Sequence, residues 1–296
     1  MSVLLVAVLI LVYTAHSLFA SLFSKHYPGE HGEASRVYSV YYGLIVSLAT
    51  LAASGFVPKI SWLTLLLGIA NGVAVMLYNL SLIGAAERGP YSVVMVFSLF
   101  GGILVPLAVS VVAYREHLTP VQWAAILIML VAFVFLNIGK KGEKLKDSVK
   151  KGFFALCLLQ FCANGAYGTL LSVQERLTEG TENNGMTVVT YAVVFLLSVL
   201  LLAGRRRERT MADLRLNRKS VACLIFCTGS VTAGIMILMH CLSLMNVAVL
   251  YTVENGGVLL LSVILSAFLF REKMTVSKGI GIVLSVVSMA LLGLQG

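Results

Sequence analysis

Residues 247–296 read VAVLYTVENGGVLLLSVILSAFLFREKMTVSKGIGIVLSVVSMALLGLQG, and they can be laid on residues 91–139 at a constant offset of 156 without a gap. Each copy runs one apolar stretch into a basic-acidic corner and out into a second apolar stretch. The corner is Arg115-Glu116-His117-Leu118-Thr119 in the earlier copy and Arg271-Glu272-Lys273-Met274-Thr275 in the later one. Ten of the forty-nine pairs are identical, and shared Leu and Val could supply much of that in any two apolar helices. Arg, Glu and Thr at the corner are matched where the composition is not apolar, and they lift the match above chance. Each copy is then the end of a longer unit.

Composition sets the class of those units. The chain has 296 residues, of which 59% are hydrophobic and only 12% charged, far outside the range of soluble globular domains. A helix needs about 20 apolar residues to cross a hydrocarbon layer roughly 30 Å thick. Ten windows qualify: 2–22, 37–56, 61–86, 91–114, 120–138, 152–174, 186–204, 220–245, 247–270 and 277–295. A membrane β-barrel would show segments of about 10 residues alternating apolar with polar, whereas these are continuous runs of Leu, Val, Ile and Ala. The expected fold is an all-α membrane protein of ten transmembrane helices.

The net charge of +9 invites a nucleic-acid reading, which the distribution of the charge removes. Of the 22 Lys and Arg, all but Lys59, Arg115 and Arg176 lie on the first, third, fifth, seventh and ninth connections. Short loops rich in Lys and Arg stay cytoplasmic, so the odd connections are expected inside and both termini outside. The implied location is the cytoplasmic membrane of a bacterial cell. The first window lacks a basic n-region, since its first basic residue is Lys25, and it is read as a retained helix rather than a signal peptide. The five cysteines all fall inside windows. Cys223 and Cys227 share a helix face, but nothing acidic or His-rich joins them in sequence, so no metal site is expected.

Ten helices divide as five and five, and an odd number per half makes the second half enter the bilayer from the opposite side. The halves are therefore expected to form an inverted repeat: 1–139, a basic cytoplasmic linker over 140–151, and 152–296. Tyr42 matches Tyr191, Gly55 matches Gly204, Gly72 matches Gly234, and Leu80-Ser81-Leu82 matches Leu242-Ser243-Leu244. Two five-helix halves with Arg-Glu-x-(Leu/Met)-Thr after the fourth and ninth helices resemble the EamA-like branch of the drug/metabolite transporter superfamily. The resemblance implies a secondary transporter with a central cavity lined mainly by helices one, three, four, six, eight and nine. Two features depart from that family: Tyr13-Thr14-Ala15-His16 stands where many relatives carry Trp-Gly, and the termini are expected outside rather than inside.

Candidate site residues are the polar groups within the windows. Glu254 is the only Asp, Glu, Lys or Arg well inside any of them, about 12 Å along the ninth helix at 1.5 Å per residue. A charge at mid-helix costs roughly 2.5 to 3.5 kcal/mol on translocon scales, and folding does not require that cost. Glu254 is read as the group that carries a coupling proton or pairs with a cationic substrate group. Tyr251, Glu254 and Asn255 stand at i, i+3 and i+4 on one face, and Ser98 is the counterpart of Glu254 in the fourth helix. The sixth helix offers Gln160, Asn164 and Tyr167, its counterpart first helix Tyr13 and His16, and the third helix Asn71 and Tyr78. For each of these, simple hydrogen bonding between helices is the competing explanation. His240, near the end of the eighth helix, is a candidate partner for Glu254. Pro106 removes one backbone bond in the fourth helix and frees the carbonyl of Gly102.

The function expected is secondary active transport of a small metabolite, an amino acid or related organic molecule, by alternating access with the proton as coupling ion. An uncoupled exchanger or facilitator and a flippase of a lipid-linked substrate are the alternatives. No nucleotide-binding loop of the G-x-x-x-x-G-K-[ST] kind is present, so no ATP motor is built in, and no cofactor, metal or nucleic-acid partner is expected. An intramembrane enzyme would want a His-Glu-x-x-His motif or paired carboxylates, which Glu254 alone does not supply.

Overall fold

The computed structural model describes residues 2–29, 31–86, 88–89, 91–137, 150–203, 214–269 and 275–293. Among the described residues there are ten helices and no strand. They are α1 Ser2–His26, α2 His31–Ala53, α3 Trp62–Ala86, α4 Tyr91–Val112, α5 Pro120–Asn137, α6 Phe153–Thr178, α7 Asn183–Ala203, α8 Arg218–Leu244, α9 Val247–Leu269 and α10 Val276–Gly293. Each answers to one apolar window. The corner residues Arg271–Met274, residues 140–149 of the linker, Gly139, Gly204 and Glu87 lie outside the described residues.

Several helices overrun their windows, α1 among them by running to His26. α2 starts at His31 and α6 runs to Thr178, because helical backbone bonding does not stop where the first charge appears. Polar side chains at a helix end reach interfacial water while the backbone stays paired within the helix. Eight helices are long and apolar enough to cross a membrane, and α5 and α10 are shorter apolar helices. Their outward faces are apolar too: Leu66, Ile69 and Val73 follow helical spacing on α3, and Leu196, Val199 and Leu200 on α7, all exposed. Such faces oppose solution in water and are at home against acyl chains. The chain is an all-helical integral membrane protein.

The helices form two compact units, each drawing on both halves of the sequence. The first comprises Met1–Leu11, Leu77–Ser172 and Leu244–Gly296, the second Val12–Met76 and Val173–Ser243. In the first, α4 packs on α9 and α5 packs along α10. Its core is Leu99, Ile103 and Leu107 of α4, Ile126, Met129 and Phe133 of α5, and Ala248 of α9. Along the α5–α10 seam small residues bring backbones together: the Ser288 hydroxyl donates to the Ala125 carbonyl at 2.6 Å and Ser277 to that of Phe135 at 2.8 Å. In the second unit α2 packs along α7. Tyr42 and Tyr191 meet there hydroxyl to hydroxyl at 3.4 Å, rings edge-on, and Ser47 donates to the Val188 carbonyl.

The corner after α4 has a structural explanation. Arg115 turns the chain with a φ of 54°, a left-handed value that ends a helix. The Glu116 amide then donates to the Ser110 carbonyl at 3.0 Å, and the Ser110 hydroxyl donates to the Glu116 carboxylate. Thr119 accepts from the Gln122 amide, while the Gln122 side chain accepts from the Thr119 amide, a reciprocal cap that starts α5. Thr275, its counterpart, accepts from the Lys278 amide and starts α10 in the same way. The repeated Thr is therefore a helix cap.

Two matched glycines mark close crossings within the first unit. A Cβ on Gly101 would overlap the backbone carbonyl of Phe161 on α6, and one on Gly257 would overlap the Ile10 side chain on α1. Ile10 can turn aside, whereas a carbonyl in a helix cannot. Gly101→Ala should therefore lower stability by about 1–3 kcal/mol, as overpacking does. Gly229→Ala, where nothing lies within 4 Å of the added atom, should be neutral or slightly stabilising. Thermal unfolding of the purified variants in detergent measures both, and equal melting temperatures would contradict the tight crossing.

Candidate functional site

Glu254 sits two turns into α9 and is 9% exposed. The helix is set by the uninterrupted apolar run on both sides, and its start is capped by Asn246, whose side chain accepts from the amides of Ala248 and Val249. Among the described residues, none hydrogen-bonds or ion-pairs with the Glu254 carboxylate. Its electrostatic neighbour is Tyr251, one turn earlier. Tyr251 is fixed rather than free, since its hydroxyl donates to the Gly168 carbonyl of α6 at 2.8 Å. Tyr167, half-buried, faces Tyr251 electrostatically from the same helix.

A ladder of neutral polar groups from α3, α4, α6 and α9 also lies within the first unit. The Asn255 amide donates to the Tyr251 carbonyl at 2.9 Å. Asn255 and Asn164 both come up to the backbone of Gly102 on α4. α4 continues unbroken through Pro106, which cannot supply the amide that Gly102's carbonyl would accept in a regular helix. Asn164 donates to the Ser98 carbonyl at 2.8 Å, and Gln160 donates to the Ser98 hydroxyl at 3.3 Å. The Ser81 hydroxyl donates to the Gln160 carbonyl oxygen, and the Tyr78 hydroxyl reaches both Ser98 and Gln160. Ser98, Ser81 and Gln160 are buried.

Seven sequence candidates share the first unit with Glu254: Asn255, Tyr251, Ser98, Gln160, Asn164, Tyr167 and Tyr78. Ser81 belongs with them, and its place in the repeated Leu-Ser-Leu was the signal for it. The other candidates lie in the second unit. His16 Nε2 and the Tyr38 hydroxyl are hydrogen-bonded at 3.3 Å, and Tyr38 also contacts the Cys227 sulfur at 3.0 Å. Its ring lies 5.8 Å from that of Tyr42, which stacks on Tyr38. Tyr13 packs against Gly234 of α8. Asn71 is fully buried and donates to the Thr190 hydroxyl at 3.4 Å, which joins α3 to α7. Asn71 and Tyr78, grouped by helical spacing, therefore serve different units. His240, the expected partner of Glu254, also falls in the second unit, where it lines a cavity with Glu175.

All five cysteines are free, and among the described residues no group of three or more His, Cys, Asp or Glu could hold a metal ion. The arrangement of the first unit can do two things: hold or release a proton on an unpaired carboxylate, and present neutral donors and acceptors to a small polar ligand.

No family model and no curated protein matches the chain. Among solved structures 29 chains match. One, a crystal structure described only as that of a protein, covers 99% of this chain and 96% of its own length with a TM-score of 0.76 at 16% identity. At that identity the likeness is one of fold.

The ladder gives a measurable stability term. Gln160→Leu removes the Gln160 bonds to Ser98 and Ser81, while Ser98 keeps the Tyr78 hydroxyl and Ser81 the Tyr78 carbonyl, and such interhelical bonds average about 0.6 kcal/mol with a maximum near 1.7. Thermal unfolding in detergent should show a loss of that order for Gln160→Leu, and a melting temperature at or above that of the parent would remove Gln160 from the ladder.

Proposed function

We propose that the chain is a proton-coupled secondary transporter of a small metabolite, working by alternating access between two inverted five-helix halves in the cytoplasmic membrane. The observation that carries this reading is Glu254: a buried carboxylate, two turns into an apolar helix, with no hydrogen-bond partner among the described residues. An acid in that setting costs free energy, and a group retained at such a cost by default serves an ion or substrate pathway. The ladder from Tyr78 to Asn255 supplies neutral contacts for an uncharged or zwitterionic part of the cargo, which fits an amino acid or related molecule.

The inverted repeat is supported by which helices pack together. α2 pairs with α7, α4 with α9 and α5 with α10, each helix meeting its counterpart five places along. Tyr42 and Tyr191, matched in sequence, touch each other, as residues on a two-fold axis do. Within the first unit, Gly101 meets α6 while its counterpart Gly257 meets α1, the exchange of partners that a two-fold relation between the halves expects. On this reading α5 and α10 complete ten spans, the odd connections face the cytoplasm, both termini lie outside, and the chain is akin to the EamA-like transporters. The asymmetry between Ser98 and Glu254, equivalent positions with one charge between them, assigns coupling to the second half.

Purified protein in proteoliposomes tests this. With an imposed pH gradient, saturable uptake is expected for a member of a panel of amino acids and small organic metabolites. Glu254→Gln should abolish gradient-driven accumulation while the protein keeps its melting behaviour. Saturable uptake that only equilibrates and ignores the gradient would make the protein an uncoupled facilitator. Accumulation that survives Glu254→Gln would end the coupling role.

A further inference from the structure

The second unit is tied at both ends of its α2–α7 pair, and the two ties are built alike. Tyr42 meets Tyr191 and Ser47 meets Val188, so α2 and α7 are antiparallel, with the close of α2 and the start of α7 at one end. α3 begins at Trp62 and α8 at Arg218, the offset of 156 that also relates the two corners. It carries Ser61 and Thr64 onto Asn217 and Ser220. Each pair caps its helix: the Ser61 hydroxyl accepts from the Thr64 amide at 3.2 Å, and the Asn217 side chain from the Ser220 amide at 2.7 Å.

Each cap also reaches across to a neighbouring connection. At one end the Thr64 hydroxyl and the Ser61 amide donate to the Glu182 carboxylate, between α6 and α7. At the other the Asn217 side-chain amide and the Ser220 hydroxyl donate to the His26 carbonyl, where α1 closes, at 2.7 and 2.8 Å. We propose that these two junctions are opposing latches of the transport cycle, each closing one end of the second unit, the release of one favouring closure of the other. That they serve transport rests on the reading above, in which the Glu182 junction faces outside and the His26 junction the cytoplasm.

α8 is the rod that couples them. Its start lies in the His26 junction, and its middle is held where Cys227 contacts the Tyr38 hydroxyl and Tyr13 packs on Gly234. Its close, at Met239, His240 and Ser243, lines a cavity of about 450 Å³ whose other wall includes Asn183, next to Glu182. A stiff helix held at its middle swings both ends in opposite senses. When the start of α8 leaves α1, its close has room to move into the cavity toward the start of α7. Coupling of this kind is reciprocal. Ser61 and Asn217 are exposed, and hydrogen bonds at a water-exposed end exchange for water at little net cost, so the unit can part there.

The two latches differ in strength. The Glu182 carboxylate sits at the start of α3, where the helix dipole favours a negative charge, and charge-assisted bonds are the stronger kind. Those bonds, Thr64's foremost, hold its carboxyl below the usual range, and Lys59 adds to them. Of the other charged groups at that end, Arg176, Glu175 and Glu179, Glu175 accepts from the Asn183 amide. Thr64 also accepts from Gln174 of α6 at 2.8 Å. The fit is close, because a Cβ on Gly185 of α7 would overlap the Lys59 carbonyl. The His26 carbonyl carries no charge, and its latch is the weaker.

Hydrogen exchange of the full chain in lipid nanodiscs, without cargo or gradient, reads both ends at once. Glu182→Ala should speed exchange at the starts of α3 and α7 and slow it at the start of α8, each by about fivefold or more, the lower range of coupling between sites. Ser220→Ala should do the reverse. Gly185→Ala wedges the Glu182 end by bulk and should act as Glu182→Ala does, so the result stands if one variant fails to fold. A change confined to the altered end, or faster exchange at both ends, would overturn the proposal. Opposed changes without uptake in proteoliposomes would keep the coupled junctions and remove the transport reading, whereas uptake with one-ended changes would do the opposite.

Discussion

Hydrocarbon accepts no hydrogen bond, and that single constraint orders everything observed in this chain. It forces the backbone into helices and sends polar side chains to partners on neighbouring helices. The Ser98–Gln160–Asn164 ladder is the outcome of that search: each group finds a carbonyl, a hydroxyl or an amide from another helix or its own backbone. Asn71 with Thr190 and His16 with Tyr38 are the second unit's answers to the same demand. Against this background Glu254 stands out as a carboxyl, two turns into an apolar helix, with no hydrogen-bond partner among the described residues.

An unmet group of this kind is costly at rest and useful in work. A carboxylate tied to a cation or to several donors would hold its charge state against any gradient. One flanked by fixed neutral groups can exchange its proton when water or cargo reaches it. The fixed geometry matters too: Tyr251 is anchored to Gly168 and Asn255 to its own helix, so the walls beside the carboxylate are pre-set and little ordering remains when a ligand arrives.

The fold was largely legible because apolar length and charge position are one-dimensional signals. All ten helices fall on the apolar windows, and errors are confined to ends such as His31 and Thr178, where a helix outlasts its apolar stretch. Of the residues matched in sequence, Tyr42 and Tyr191 touch, and Thr119 and Thr275 both cap helices. The site was legible by position and not by partnership. Periodicity groups Asn71 with Tyr78 on one helix face, but it cannot say that Asn71 turns to Thr190 while Tyr78 turns to Ser98 and Gln160.

The account's central claim is that the two halves are mounted in opposite senses about the polar ladder, and it is tested most directly by sidedness. Single cysteines at Gly29, in the α1–α2 connection, and at Thr181, in the equivalent α6–α7 connection, can be probed with a membrane-impermeant maleimide in right-side-out and inverted vesicles, with Cys162 replaced by Ser. The account predicts labelling of Gly29→Cys only from the cytoplasmic face and of Thr181→Cys only from the outer face. Labelling of both from one face would mean halves mounted the same way up, and would contradict it.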